Sequence, residues 1–199
     1  MLKIPIQRIL HALIFPLIMI SGVLLLASCN SEDYYPKPRG YLRIDLPEHT
    51  YQPFDSTFPY RFEYSEAARI TFDEYTRANP YWMNLDYPRY KGRIHLSYKS
   101  LEGRELYTFT EDAREMAFKH APRAIGIKES YFTDPEDRVF GKAFRIEGKD
   151  AASPYQFYLT DSTTHFVRGA LYFNLTPNND SLRPVIDFII KDVQRLYET

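Results

Sequence analysis

Residues 155–175 read YQFYLTDSTTHFVRGALYFNL, and this stretch predicts the architecture of the fold. Residues 155–160 and 165–175 are rich in aromatic and β-branched side chains, which is typical of strands. The four residues between them, 161–164, are small and polar and favour a hairpin turn. Because side chains alternate along a strand, one face of the second strand carries Val167, Gly169, Leu171, Phe173 and Leu175.

The residues after this hairpin predict a C-terminal helix. A turn at 176–180 precedes Ser181, which is a good N-cap, and Pro184 follows in the first turn. Asp187 and Lys191 have the spacing of an i,i+4 ion pair. One apolar stripe, which we expect to lie on the sheet, consists of Val185, Phe188, Ile189, Val193 and Leu196.

The chain before residue 155 also consists of predicted strands and one predicted helix. A helix is predicted over 105–119, where apolar residues recur at intervals of three to four. Further strands are predicted at 41–45, 60–64, 69–72, 81–87, 92–98, 124–132 and 138–147. The sequence therefore predicts an α+β fold, a largely antiparallel twisted sheet with a mid-chain helix and a C-terminal helix packed on it.

The first 28 residues have the pattern of a bacterial lipoprotein signal peptide. Lys3 and Arg8 precede a mainly apolar run over 12–27, and the first acidic residue is Glu32. The run is also about long enough to span a bilayer, at roughly 20 residues, so a retained transmembrane anchor is the alternative. The end of the run favours the lipoprotein, because it resembles a lipobox made of Leu26, Ala27, Ser28 and Cys29.

Cys29 is the only cysteine, and an unpaired thiol is unusual in an exported protein. A lipidated sulfur explains it, and acyl chains on Cys29 would hold the protein at a membrane. Residues 29–40 are polar and then rich in proline, which predicts an extended tether. We expect residues 41–199 to form one domain.

Composition and motifs exclude several classes of protein. With 25 Lys+Arg against 26 Asp+Glu, the chain lacks the basic excess of a nucleic-acid binder. One cysteine excludes a disulfide framework and a zinc site built on several thiolates. The sequence contains no P-loop, no H-E-x-x-H and no G-x-S-x-G motif. We therefore predict no catalytic residues, no metal and no cofactor.

Two polar clusters remain as candidates for chemistry. Residues 161–165 combine a carboxylate, hydroxyls and an imidazole, although a turn uses the same residue types for backbone hydrogen bonds. Asp86, Arg93 and His95 lie on neighbouring predicted strands. They would form either a polar pocket or a cross-strand ion pair on the surface.

Residues 81–90, YWMNLDYPRY, are the predicted binding surface. Trp, Tyr and Arg carry much of the binding energy at protein interfaces, and the same rings could stack on a glycan. The candidate binding residues are Trp82, Asp86, Tyr87, Tyr90, Arg93 and His95. Alternate aromatic rings of this segment could instead belong to the core.

Four stretches resemble the gliding motility lipoprotein GldD family: PKPRGY at 36–41, KGRIHLSYK at 91–99, FYLTDSTTHFVRGALYF at 157–173 and DSL at 180–182. The resemblance implies a lipoprotein of the Bacteroidota cell envelope that is needed for gliding and linked to type IX secretion. It implies partners among the other envelope proteins and lipoproteins of that machinery, and no enzymatic activity. The late strands and last helix also look weakly PsbP-like, which concerns the fold alone.

The sequence therefore leaves two classes of function open. The first is a non-enzymatic assembly factor with a membrane anchor. We expect it to lie at the periplasmic face of the outer membrane. The second is a glycan-binding or peptidoglycan-binding module, or a hydrolase, of the envelope. Paired carboxylates beside Trp82 and Tyr90 would favour the second class.

Overall fold

The computed structural model describes residues 43–199. Residues 43–50 have no regular secondary structure. The elements follow in the order β1 (Tyr51–Phe54), β2 (Phe62–Ser65), β3 (Arg69–Thr71), α1 (Glu74–Arg77), β4 (Met83–Tyr87), β5 (Gly92–Ser100), α2 (Leu106–Phe118), β6 (Gly126–Asp134), β7 (Val139–Glu147), β8 (Tyr155–Thr160), β9 (His165–Phe173) and α3 (Asn179–Tyr197). Short 3₁₀ turns occupy Pro88–Tyr90 and Ala121–Arg123.

Seven strands form one open sheet in the order β3-β4-β5-β9-β8-β7-β6. Every neighbouring pair is antiparallel. The hairpin predicted from residues 155–175 is present, and its second strand pairs with β5 over nine residues. Gly169 lies opposite Phe157, and a Cβ at Gly169 would come within 2.1 Å of the Phe157 ring. Strands β1 and β2 pair separately.

Helix α3 covers the first face of the sheet. The predicted apolar stripe is buried, with Ile189 fully inaccessible and Phe188 4% exposed. Against it pack the side chains that point to this face from the central strands, namely Met83, Leu85, Ile94, Leu96, Phe157 and Leu171. Because burial of apolar surface is the main favourable contribution to folding, this layer is the principal core.

Polar contacts between α3 and the strands surround this core. Arg145 on β7 donates to Asp187 at 2.5 Å, and Arg195 donates to Glu63 on β2 at 2.6 Å. Asp187 therefore pairs with the sheet, and the predicted i,i+4 pair with Lys191 was wrong. The sequence could not show this, because the competing cation lies 42 residues away.

Helix α2 packs on the second face, over the half of the sheet that contains β7, β8 and β9. Its Ala113 and Ala117 are buried, and small side chains let the helix approach the strands closely. Their neighbours are Phe144 and Ile146 on β7 and Phe166 on β9. The same face of β4 and β5 carries polar side chains. The two faces of one sheet thus differ in chemistry.

The predicted α+β class, the antiparallel sheet and both helices are confirmed. Two further local expectations were wrong. The described part of 41–45 is not a strand, and β1 lies at Tyr51–Phe54 instead. Helix α3 begins at Asn179 and not after Ser181, because the Asn179 side chain donates to Gly148 O and Ala151 O and fixes an earlier start.

Residues 1–42, with the predicted signal peptide, Cys29 and the tether, lie outside the described residues. Across residues 43–199, none of the helices has both the length and the apolar character that crossing a bilayer requires.

Candidate functional site

The polar half of the second face brings together residues that the sequence singled out. Asp86 on β4 lies directly opposite Arg93 on β5, which lies opposite Tyr172 on β9. Two residues further along each strand, on the same face, Asn84 lies opposite His95, which lies opposite Ala170. We call these six positions the open face. Because cross-strand neighbours on one face lie side by side, their side chains form a connected polar layer.

Arg93 is the centre of an ion-pair cluster on the open face. Its Nε and Nη2 both donate to the Asp86 carboxylate, and its Nη1 donates to Asp73 at 3.4 Å. Thr71 also donates to Asp86, at 2.8 Å. Burial alone would raise the pKa of Asp86, but the hydrogen bonds from Arg93 and Thr71 outweigh it and lower the pKa. Asp86 is therefore ionised, and the positive charge of Arg93 balances its negative charge.

His95 has a defined tautomer in this layer. Asn84 donates through Nδ2 to Asp73 at 3.0 Å, so its Oδ1 faces His95 Nδ1 at 2.7 Å and accepts from it. Partial burial, followed by the nearby Arg93 cation, lowers the pKa of His95. His95 is thus a neutral imidazole at pH 7 with its Nε2 lone pair free to accept a hydrogen bond.

Both sequence alternatives for Asp86, Arg93 and His95 apply. The first two form the cross-strand ion pair, and all three also line a cavity of about 440 Å³. The other polar residues around the cavity are Lys91, Tyr172 and Asn174. This arrangement suits polar recognition through hydrogen bonds.

The predicted binding segment 81–90 is divided between the two faces. Tyr87 and Tyr90 are 1% and 7% exposed and pack in the core beneath α3. Trp82 is half-buried beside the open face, where its indole donates to Tyr98 O at 2.7 Å and Lys99 lies 5.0 Å from its ring. Alternation along a strand imposes this division, and the sequence did not show which set of rings faces α3.

Asp161 has the structural role that turn chemistry predicts. Its Oδ1 accepts backbone hydrogen bonds from Thr163, Thr164 and His165 at 2.8–3.0 Å. These bonds outweigh the effect of burial and lower the pKa of Asp161 well below its usual value. The His165 imidazole lies 2.8 Å from the Tyr98 hydroxyl, beside a separate cavity of about 310 Å³.

A strained aromatic corner just before β4 has no signal in the sequence. Tyr81 has φ of 61°, a left-handed conformation that a bulky residue rarely adopts. Tyr60 donates to Tyr81 O at 2.6 Å and holds it there. Exposed aromatic residues surround the corner, with Phe72 41%, Tyr75 67% and Tyr81 41% exposed. We call Phe72, Tyr75, Tyr81 and Trp82 the aromatic patch.

A buried polar network on the other face was also missed. Asp192 on α3 is 3% exposed and accepts a hydrogen bond from Tyr87 at 3.1 Å. His49 Nδ1 lies 2.6 Å from the same carboxylate. Asp192 occupies a helix position next to Val193, and no local pattern indicates partners on distant segments.

The described part of the chain contains no group of three or more His, Cys, Asp or Glu side chains placed to hold a metal ion. The ionic groups of the open face are paired with one another.

Comparison with known proteins gives one finding. A family model described as gliding motility lipoprotein GldD matches residues 31–199. No curated protein matches the chain significantly.

Proposed function

The chain belongs to the gliding motility lipoprotein GldD family, and we propose that it is a non-enzymatic assembly factor of the gliding and type IX secretion machinery. In this proposal it binds other envelope proteins through the aromatic patch. The observation that carries the proposal is the strained and solvent-exposed corner at Tyr81.

Backbone strain of this kind costs of order 1–3 kcal/mol and persists only where the surroundings enforce it. The Tyr60 hydrogen bond and the edge contact between the rings of Tyr81 and Tyr98, 5.4 Å between centroids, are such surroundings. In this conformation Tyr81 is 41% exposed. Exposed aromatic clusters of this type are typical of binding surfaces.

Neighbouring rings hold the patch residues in two groups of contacts. Phe58 contacts both Phe72 and Tyr81, with centroid distances of 6.4 Å and 5.4 Å. Tyr75 packs edge-on against Trp82 at 5.3 Å. These contacts limit ring motion, so binding would order few additional side chains and would cost little conformational entropy.

The carboxylates beside the patch support a binding role over glycan hydrolysis. A glycosidase needs one carboxyl group whose raised pKa keeps it protonated as a general acid. Asp73 and Asp86 both have lowered pKa values, Asp73 first through the Thr76 N–H and Asp86 through Arg93 and Thr71. Both are ionised at neutral pH and share Arg93.

The membrane anchor completes the proposal. The family is one of lipoproteins, and Cys29 is the residue of the lipobox-like run that would carry the lipid. We propose that the acyl chains hold the domain at the periplasmic face of the outer membrane. A tethered binding domain meets membrane partners at a raised effective concentration.

The test is capture of partners by the full-length protein in a gliding host that lacks its own copy. Tyr75→Ser removes the most exposed ring of the patch. Tyr107→Ser is the matched control, because Tyr107 is 70% exposed on α2. After crosslinking in intact cells, we expect Tyr75→Ser to reduce co-purification of envelope proteins at least tenfold and to impair gliding.

The control should behave as the unchanged protein, and abundance is measured for every variant. Equal capture by Tyr75→Ser and Tyr107→Ser would reject the aromatic patch as the binding surface. Loss of gliding with normal capture would favour an enzymatic role.

A further inference from the structure

Arg168 occupies an unusual position in the middle of the sheet. It lies on the second face of β9, opposite Ser97 on β5 and Tyr158 on β8. Its Nη2 donates to the Oε1 of Gln156 at 2.5 Å, and Gln156 is 1% exposed. The guanidinium is thus held in a fixed position by a buried amide.

The charge of Arg168 has no anionic partner. Among residues 43–199, the guanidinium makes its side-chain hydrogen bond to a neutral amide and forms no salt bridge. Its Nε and the Nε2 of Gln156 are both buried without an acceptor. Burial lowers the pKa of Arg168, which means that the surroundings disfavour its charge. A desolvated cation is costly unless it is paired.

Three polar rings lie around Arg168. Tyr172 follows on the same face of β9, and the rings of His95 and His120 lie 5.7 Å and 6.4 Å from its ring. Burial is the largest cause of the lowered pKa of both histidines; Arg168 lowers the pKa of His120 further, whereas at His95 the effect of Arg93 exceeds that of Arg168. Asp86 on the open face and Asp73 beside it both accept hydrogen bonds from Arg93.

Ala170 is the small residue in the middle of these groups. It lies between Arg168 and Tyr172 along β9 and is opposite His95 and Gln156 on the adjoining strands. Four larger polar side chains therefore surround one methyl group. An arginine without an anionic partner offers N–H groups in the planar fork that binds a carboxylate or phosphate.

We propose that Arg168, with His120 and Tyr172 beside it, forms a binding site for an oxyanion, which is a carboxylate or phosphate group of a ligand. The guanidinium binds the anion and the two rings lie at its sides. Gln156 is a positioning residue, because it fixes the guanidinium. The site does not use the aromatic patch, so it stands independently of the proposed assembly function.

The experiment follows thermal unfolding of the mature lipidated protein in detergent during titration with inorganic phosphate. Sodium chloride of equal ionic strength controls for screening. A ligand that binds only the folded state raises the midpoint by about 3–6 °C at ten times its dissociation constant. A parallel titration with acetate distinguishes a phosphate ligand from a carboxylate ligand. A larger midpoint shift with phosphate indicates a phosphorylated ligand, and an equal shift with acetate indicates a carboxylate.

Arg168→Gln should unfold at the same or a higher temperature without phosphate and should lose the response. Arg89→Gln, which changes an exposed arginine, should keep it. No saturable response in the unchanged protein, or an equal response in Arg168→Gln, would overturn the proposal. If Arg168→Gln fails to fold, the site is tested by measuring the titration of His120 in the unchanged protein by nuclear magnetic resonance. Bound phosphate must raise the pKa of His120, and an unaltered His120 titration rejects the site.

Discussion

The Tyr87 hydroxyl on β4 donates a hydrogen bond to the Asp192 carboxylate on α3, at 3.1 Å inside the core. The two residues are 105 positions apart in the chain. His49 contacts the other oxygen of the carboxylate at 2.6 Å, and its ring stacks on Phe188 with 4.4 Å between centroids. One buried carboxylate therefore connects the sheet, the last helix and the segment that leads to the predicted tether.

Asp192→Ala is expected to destabilise the protein by about 3–5 kcal/mol, because it leaves the buried Tyr87 hydroxyl and His49 without their acceptor. Tyr87→Phe should cost about 1–3 kcal/mol, since Asp192 keeps His49. Urea unfolding measures both, and the exposed Asp187→Asn is the matched control. Additive effects in the double variant would show that the two groups are not coupled.

Phe188→Ala tests the packing of α3 on the sheet. The ring is 4% exposed and contacts Tyr90 edge-on at 5.9 Å, so its removal leaves a cavity and should cost about 3–5 kcal/mol. Lys191→Ala, on the exposed side of the same helix, should cost less than about 0.5 kcal/mol. Similar small shifts of the unfolding midpoint for both variants would contradict the docked helix.

The two histidines beside Arg168 predict a pH dependence of stability. Burial lowers the pKa of both His95 and His120 in the folded protein, relative to about 6.5 when unfolded. As the pH falls through 6.5, the unfolded chain therefore binds more protons, and stability decreases until the folded pKa values are reached. We expect His95→Gln with His120→Gln to flatten this part of the profile. Urea midpoints between pH 5 and 8, in phosphate-free buffer, measure it, and an unchanged slope would refute it.

The anchor prediction concerns Cys29. Cys29→Ala should abolish acylation and leave the signal peptide uncleaved, because the sulfur is the predicted lipid attachment site. Mass spectrometry of the native protein and of the variant measures both. A mature N-terminus elsewhere, or an unmodified Cys29, would disprove the lipoprotein processing.

The turn residues 161–165 provide a test against catalysis. Asp161→Asn keeps an oxygen acceptor for the three backbone N–H groups, so gliding and secretion should persist, and the same is expected for Ser162→Ala and His165→Gln. Complementation with abundance controls measures this. If an abundant, folded Asp161→Asn or His165→Gln protein captured its partners but did not support gliding, the turn would have an enzymatic role.

Local patterns in the sequence predicted the elements whose form depends on neighbouring residues. Alternation along 165–173 indicated β9, the stripe containing Phe188 and Ile189 indicated α3, and the polar run after Thr160 indicated a hairpin turn. Strand β1 was not predicted because its four residues include Pro53 and pair with only one other strand. Periodicity is weak over so few residues.

Only the tertiary structure decided which face each residue occupies and what it contacts there. Periodicity places Tyr87 and Asp86 on opposite faces of β4, but the packing of α3 determines that Tyr87 is in the core and Asp86 on the open face. The partners of Asp192 and Arg168 depend on strand order and register, which are set by contacts between residues far apart in the chain. A local pattern contains no information on such contacts, so both the buried network of Asp192 and the surroundings of Arg168 became visible only in the folded chain.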